Sequence, residues 1–296
     1  MTAGTLAQIE QDNKEIFAQQ NRYLGRVGLA AVVVVAYYLI FFAHFGVSAE
    51  QFAMGNEKIG SYFLHMFIWK DFWNWPFGYY FSQIGITLAI VFGGTLTASV
   101  VALPLSFLAA RNVMTGPFRF VATLMRRLFD VLRGIDMAIW GMMFVRAVGL
   151  GPLAGVMAVF VQDLGLFGKL FAESHEAADK KPTRGLTALG ATNLQKYRFG
   201  IFTQSFPTFL ALSLYQLESN TRSAAVLGFV GAGGIGLVYA ENMRLWNWDV
   251  VTFITLVLVA IIMVLDKVSS ILRHKYIIGE QIKVYEQTKP QLKAQP

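Results

Sequence analysis

Long apolar runs alternate with shorter polar ones along this chain, and several runs have the length of a bilayer crossing. About 20 predominantly apolar residues in a helix span the hydrocarbon core. Six stretches fit: residues 27–45, 80–110, 129–148, 153–171, 206–227 and 250–272. The second contains Gly85, Gly93, Gly94 and Pro104, which a packed or bent membrane helix tolerates. The third is unusually polar. Gly149, Gly151 and Pro152 predict a tight turn before the fourth, with Gly ending one helix and Pro opening the next. Between the first two runs, the polar stretch GVSAEQFAMGNEKIGS leads into YFLHMFIWKDFWNWPFGYYF. Lys70, Asp71, Asn74 and Pro76 interrupt that second segment, so its rings read as an interfacial belt and not as a span. Residues 5–24 place Leu6, Ile9, Ile16, Phe17 and Leu24 at helical spacing. They suit an amphipathic helix on the membrane surface, and equally a frayed terminus.

Composition supports a hydrophobic solvent. Only 15% of the 296 residues are charged, 55% are hydrophobic, and the mean hydropathy is +0.49. A soluble domain carries about 25% charged residues. The expected fold class is therefore all-α: a polytopic membrane protein with about six transmembrane helices. With no cysteine, disulfides, thiolate metal sites and thiol chemistry are excluded. The N-terminus is too polar and acidic for a signal peptide, so the first span is expected to stay uncleaved.

The net charge of +7 reads as cytoplasmic-loop charge, not as a nucleic-acid footprint. With both termini inside, 19 of the 25 Lys and Arg fall on the cytoplasmic side. Lys58, Lys70, Arg146 and Arg244 fall outside, and Arg133 and Arg222 within spans. That split supports six spans with both ends inside. The expected organisation has three parts. Residues 1–79 hold the amphipathic segment, the first span and the aromatic extracytoplasmic segment. Residues 80–272 form the transmembrane core, and 273–296 a cytoplasmic tail.

The segment 173–205, ESHEAADKKPTRGLTALGATNLQKYRFGIFTQS, is a basic insert between two spans with a design of its own. Pro182 suits the opening of a helix. Thr183 to Leu189 reads helical, and Gly190 sits where a left-handed cap would end it. Thr192 with Gln195 fits a capping box, predicting a second short helix. A short helix presented this way docks into a partner's groove. A solvated loop on anionic lipid is the plainer reading.

This insert resembles the cytoplasmic "EAA" loop of binding-protein-dependent ABC importer permeases. ESHEAAD, then Leu189-Gly190-Ala191 and Tyr197, resembles the phosphonate-transport branch. RRLFDVLRGIDMAIWGMMFVRAVGLGPLAGV, GLFGKLFAES and LESNTRSAAVLGFVGAGGIG agree with it. The resemblance covers about residues 80–272. It implies a MetI-like permease core, multi-pass in the cytoplasmic (inner) membrane of a bacterium, working as a homodimer. Two cytoplasmic ABC ATPases would grip the insert, and an extracytoplasmic substrate-binding protein would deliver phosphonate, phosphate or phosphite. The coupling residues it implies are Glu176, Ala177, Asp179, Arg184, Gly185, Leu186, Gly190, Ala191 and Thr192. The chain departs from the family pattern in places. Arg184 occupies the acidic position six before Gly190, Gly185 the following alanine, and Thr203 the later proline; the Glu176-Ala177-Ala178 triplet lies eight residues early. No G-x-x-x-x-G-K-[ST] loop occurs, so the energy must come from elsewhere. The chain itself is expected to bind no cofactor and to be no enzyme, with ATP and Mg on the partner ATPase.

Gly231, Gly233, Gly234 and Gly236 satisfy G-x-G-x-x-G, but they follow a span, and no acidic residue stands about twenty positions on. They read as a helix break that also lets chains pack closely. The resemblance supports this, since those permeases carry VGAGGIG here.

Charges within spans are costly and face a cavity or a partner. Arg133 stands three from both Asp130 and Asp136, and Glu218 four before Arg222. Structural pairing alone explains them. The functional reading places Arg133, Asp136, Glu218, Ser219, Asn220, Arg222 and Ser223 along an anion route, using guanidinium forks and hydroxyl donors. His44, His65, His175 and His274 are scattered, and no metal site is expected. Met137, Met142, Met143 and Met157 read as packing residues.

The function expected is the permease subunit of an ATP-driven importer of a phosphorus oxyanion. The alternatives are an ABC permease for another small solute such as an amino acid, and an ion-gradient-driven transporter. The latter lacks clear repeated halves. A membrane enzyme lacks any nucleophile–base or metal cluster. Membrane lipid is an expected partner and nucleic acid is not.

Overall fold

The computed structural model describes residues 14–46, 49–114 and 116–273. The chain divides into two compact units, residues 1–64 and 65–296. Among the described residues it is helical and has no strand.

The first unit holds α1, Lys14–His44, and most of α2, Ala49–Phe67. From Arg22 to His44, α1 is long and apolar enough to cross a membrane, and its large side chains, such as Val32, Leu39 and Ile40, are exposed. A helix with apolar residues on all sides is matched to lipid or to a large core. From Ala49 onward, the stretch read as polar before the aromatic belt is helical. Its Gln, Met, Glu and Lys are good helix formers, and no proline interrupts them. The amphipathic expectation for residues 5–24 falls largely outside the described residues, as does the tail beyond Arg273.

The second unit opens with the aromatic segment. A 3₁₀ turn, Phe72–Asn74, precedes α3, Phe77–Ala109. After a second 3₁₀ turn, Gly116–Phe118, come α4 (Arg119–Gly134), α5 (Met137–Val148), α6 (Pro152–Ala177) and α7 (Lys180–Ala188). Then α8 (Asn193–Gln195) runs through a π segment, Lys196–Phe202, into α9 (Thr203–Phe229); α10 (Ile235–Arg244) and α11 (Trp248–Arg273) complete the unit.

Helices α3 and α6 form the centre and run parallel. Gly155 lies against Ile90, Gly94 against Val159, and His175 against Ser106. A Cβ on Gly94 would stand 2.5 Å from that of Val159, so glycine sets the spacing. Helix α4 runs antiparallel to α6, with Gly168 under the Phe129 ring and Gly165 against Leu132. Small residues at contacts let membrane helices approach and gain dispersion where no hydrophobic drive exists between them. At about 1.5 Å per residue, the 33 residues of α3 reach roughly 50 Å, beyond the hydrocarbon core.

Two expected spans take another form. Residues 129–148 are not one helix, because the chain breaks between α4 and α5, leaving α5 only 12 residues long. Four helices, at Arg22–His44, Phe77–Ala109, Pro152–Ala177 and Trp248–Arg273, are long and apolar enough to cross a membrane. Helix α9 has the length, at 27 residues, but carries Gln216, Glu218, Asn220 and Arg222.

Candidate translocation site and coupling loop

The break between α4 and α5 is built from local capping. Ile135 and Asp136 are extended, and the Asp136 carboxylate accepts the N–H of Ala138 at 2.8 Å. The Trp140 indole N–H donates to the Leu132 carbonyl at 3.1 Å, satisfying one orphan at the end of α4. Asp136 therefore caps α5. It does not share a helix face with Arg133, because α4 has already ended.

Beside the cap lies a cavity of about 170 Å³. The start of α5 (Asp136 to Ala138), Gln162 of α6, and Gln216, Ser219, Asn220 and Ser223 of α9 line it. The wall is made of amides, hydroxyls and a helix N-terminus, which presents N–H groups and the positive end of a dipole.

Directly behind it is a fully buried carboxylate, Asp163. Asn220 donates to it at 2.6 Å and Gln216 at 3.0 Å; Asn220 also donates to the Thr95 hydroxyl at 2.8 Å. Gln216 donates in turn to the Asn220 carbonyl oxygen at 3.0 Å. No cation belongs to this network among the described residues. A carboxylate that binds two amide NH₂ groups fixes which way both amides face, and those amides line the cavity. Sequence reasoning missed Asp163, Gln162 and Gln216. The available signal was an ionisable residue in the middle of an apolar run, VMAVFVQDLGLFG.

Four of the seven residues expected along the route, Asp136, Ser219, Asn220 and Ser223, share this cavity. Arg133 lies elsewhere. It pairs with Asp130 at 3.2 Å, and Lys169, also overlooked, holds the same carboxylate at 2.6 Å. Glu218 and Arg222 pair at 2.6 Å and do not line the cavity.

The insert is an ordered turn. Helix α7 starts at Lys180, two residues before Pro182, because Asp179 caps it by accepting the Lys181 N–H at 3.0 Å. Pro182 falls in the first turn, where a missing N–H costs nothing. Gly190 has φ +74°, its N–H reaches the Thr187 carbonyl at 3.0 Å, and the Ala191 N–H reaches Leu186 at 3.0 Å. That pair of bonds is the Schellman cap. Thr192 and Gln195 form the capping box, with bonds of 2.9 and 3.4 Å. The helix it starts is not a short one, since it continues through the π segment into α9.

This turn is fastened to the spans. Gln204 bonds both backbone groups of Asp179, at 3.0 and 3.1 Å, and the Gly200 carbonyl. Glu176 accepts the Arg111 N–H at 2.6 Å and pairs with Arg126 at 2.7 Å, so it holds the insert to the end of α3 and to α4. Arg184, Gly185 and Leu186 lie on α7, and Ala177 ends α6. Leu189 and Leu194 flank Gly190 and are 84% and 78% exposed.

At the other glycine cluster, α9 ends in a second Schellman cap. The Gly231 N–H bonds Gly228 and the Ala232 N–H bonds Leu227, with Gly231 at φ +87°. The Ile235 N–H donates to the Thr87 hydroxyl at 2.8 Å, and the Gly236 backbone packs directly on Gly228. The segment is a helical hairpin with close backbones, not a phosphate cradle after a strand.

A continuous helical core, one broken helix and a braced basic turn form a recognisable set. Residues 102–276 match the profile of the binding-protein-dependent transport system inner membrane components. The chain belongs to this family. The permease is 38% identical over 190 residues to the phosphite transport system permease protein PtxC of Stutzerimonas stutzeri, covering 64% of this chain and 68% of that one. It is 29% identical over 269 residues to the putative phosphite transport system permease protein HtxC of the same organism, covering 91% of each. Its fold matches a chain of the inward facing MetNI methionine ABC transporter with a TM-score of 0.59 at 18% identity, over 66% of this chain and 94% of that one. The permease is thus a multi-pass transport subunit of an inner membrane, with the break, the insert and Asp163, Gln216 and Asn220 of the buried network inside the matched stretch.

Proposed function

We propose that the permease carries a phosphorus oxyanion (phosphonate, phosphite or phosphate) inward, driven by ATP hydrolysed on partner subunits. The observation that carries this is the cavity at the α4–α5 break. There the N-terminus of α5 meets Ser219, Asn220, Ser223, Gln162 and Gln216. Hydrogen-bond donors without a fixed cation bind an oxyanion weakly enough to release it. Broken helices whose N-termini face the solute recur at transporter midplanes. The names of its relatives point to the same solute class.

In this reading two copies of the permease form the pathway, with both termini cytoplasmic. An ABC ATPase dimer grips the turn around Gly190, and ATP and Mg stay on that partner. An extracytoplasmic binding protein delivers the anion. Asp136 competes with the anion for the first N–H groups of α5, so its displacement accompanies passage.

The test is uptake into proteoliposomes holding the permease with its co-purifying ATPase and binding protein. ATP-dependent entry of labelled phosphite, phosphate or methylphosphonate is expected. Ser219→Ala with Ser223→Ala should raise KM, and Asp136→Ser, which keeps a capping oxygen, should lower it. Uptake that ignores ATP and collapses with an uncoupler would establish gradient-driven transport instead. ATP-driven uptake of an amino acid alone would move the permease to another solute class.

A further inference from the structure

A second cavity, of about 480 Å³, lies at the end of the second unit where α3 and α11 begin. It is one length of α3, roughly 50 Å, from the insert at the other end. Its wall carries four aromatic rings, Trp75, Tyr80, Trp246 and Trp248, and two carboxylates, Asp71 and Asp249. Lys70 stands at the same wall. The Asp249 carboxylate accepts the Val250 N–H at 2.9 Å. Neither carboxylate belongs to an ion pair among the described residues.

The backbone here is strained in a telling way. Among the described residues two non-glycine positions have positive φ, Asp71 at 49° and Trp246 at 62°. Both line this one cavity. For a bulky residue such a conformation is an outlier, and it persists where the surroundings enforce it. They do so here. Asn74 N–H bonds the Asp71 carbonyl at 2.8 Å, Trp248 N–H bonds that of Trp246 at 3.0 Å, and the Asn247 amide bonds Asn242 at 3.1 Å. The rings are braced as well. Trp75 packs on Phe72 and Phe253 with centroids 5.2 and 5.6 Å apart, and Trp246 on Trp248 at 6.0 Å.

Tryptophan rings and carboxylates lining one cavity attract an ammonium ion through the ring quadrupole and direct charge. Two carboxylates against one lysine leave one negative charge when the His65 imidazole at the same wall is neutral, and the lysine suits an adjacent phosphate. Phe77 and Trp248 are the first residues of two membrane-crossing helices, so the cavity sits at the interfacial level. We propose that this cavity binds an ammonium–phosphate zwitterion of the phosphoethanolamine type, with the ammonium among the rings and carboxylates and the phosphate toward Lys70. A lipid headgroup and a soluble zwitterion share this chemistry. The site is separate from the solute pathway and does not depend on the function proposed above.

The test uses the full chain in mild detergent. Retention of phosphatidylethanolamine and phosphatidylglycerol is compared by native mass spectrometry, and tryptophan fluorescence is titrated with soluble phosphoethanolamine. About tenfold preference for the zwitterionic lipid is expected, lost in Asp249→Asn and in Trp246→Gly. Trp246→Gly removes the ring yet suits the positive φ, so thermal stability should hold while binding goes. Trp73→Ala, at an exposed ring outside the cavity, should change nothing. Lipid retention without saturation by the soluble compound assigns the headgroup, and the reverse assigns a free ligand. Equal retention of both lipids with no saturable fluorescence change would overturn the proposal. So would wild-type binding by Trp246→Gly. Should Asp249→Asn fail to fold, Lys70→Gln, expected to weaken retention severalfold, stands in its place.

Discussion

Gly190 offers a perturbation whose size follows from the structure. Its φ of +74° closes the Schellman cap between α7 and the capping box. A Cβ placed there meets nothing within 4 Å, so a side chain brings no clash, only backbone strain. The left-handed region costs an L-residue about 1–2 kcal/mol, most for a β-branched one. That is about a fivefold to thirtyfold fall in the equilibrium constant for the intact turn. If the ATPase docks on this turn, its apparent affinity falls by up to the same factor, because only the competent fraction binds. Asn tolerates this conformation and should bind close to wild type. The assay is titration of the co-purifying ATPase against the permease in nanodiscs, comparing wild type, Gly190→Val and Gly190→Asn. Membrane insertion should be equal in all three. Wild-type affinity for Gly190→Val, or equal loss in both variants, would refute the coupling argument.

Asn220→Leu removes two of the bonds that hold Asp163 and Thr95, leaving a buried carboxylate short of a donor, and should cost about 3 kcal/mol in thermal unfolding of the detergent-solubilised chain. Asn220→Gln keeps the amide but not its reach and should fall between. Gly236→Val drives a side chain into the Ala225 carbonyl across the α9–α10 hairpin, and overpacking of that kind costs about 1–3 kcal/mol; reduced protease resistance of the 229–235 segment is the readout, and Leu237→Val beside it, half-exposed, should be silent. Glu176→Ala unhooks Arg126 and the Arg111 N–H, so the insert should become protease-sensitive at a stability loss of about 1–3 kcal/mol, while Glu176→Gln should recover part of it.

Much of the architecture was legible in residue order. The apolar runs at residues 27–45, 80–110, 153–171 and 250–272 became helices long and apolar enough to cross a membrane, because a helix satisfies its backbone hydrogen bonds within one segment in lipid. The Thr192–Gln195 box, the Gly190 cap and the break at Gly231 were readable too, because caps and left-handed turns depend on a few adjacent residues. The start of α7 was misplaced by two residues, since Asp179 competed with Pro182 as the opening signal and a side-chain oxygen outweighs a missing donor.

What lies across helices was not legible. Asp136 stands three residues from Arg133, and on an unbroken helix they would pair; the fold ends α4 first, and the carboxylate caps α5 instead. Asp163 is a lone charge in an apolar run until α3 and α9 bring Thr95, Gln216 and Asn220 to it. Lys169 finds Asp130 only because α4 and α6 run antiparallel in close contact. The sequence by itself determined which segments are helical, where they cap and that they belong in lipid, since hydropathy, turn chemistry and capping are local free energies. The tertiary structure alone decided which polar groups face one another. A group buried in a membrane protein must find partners, and those partners come from residues up to 148 positions away in the chain.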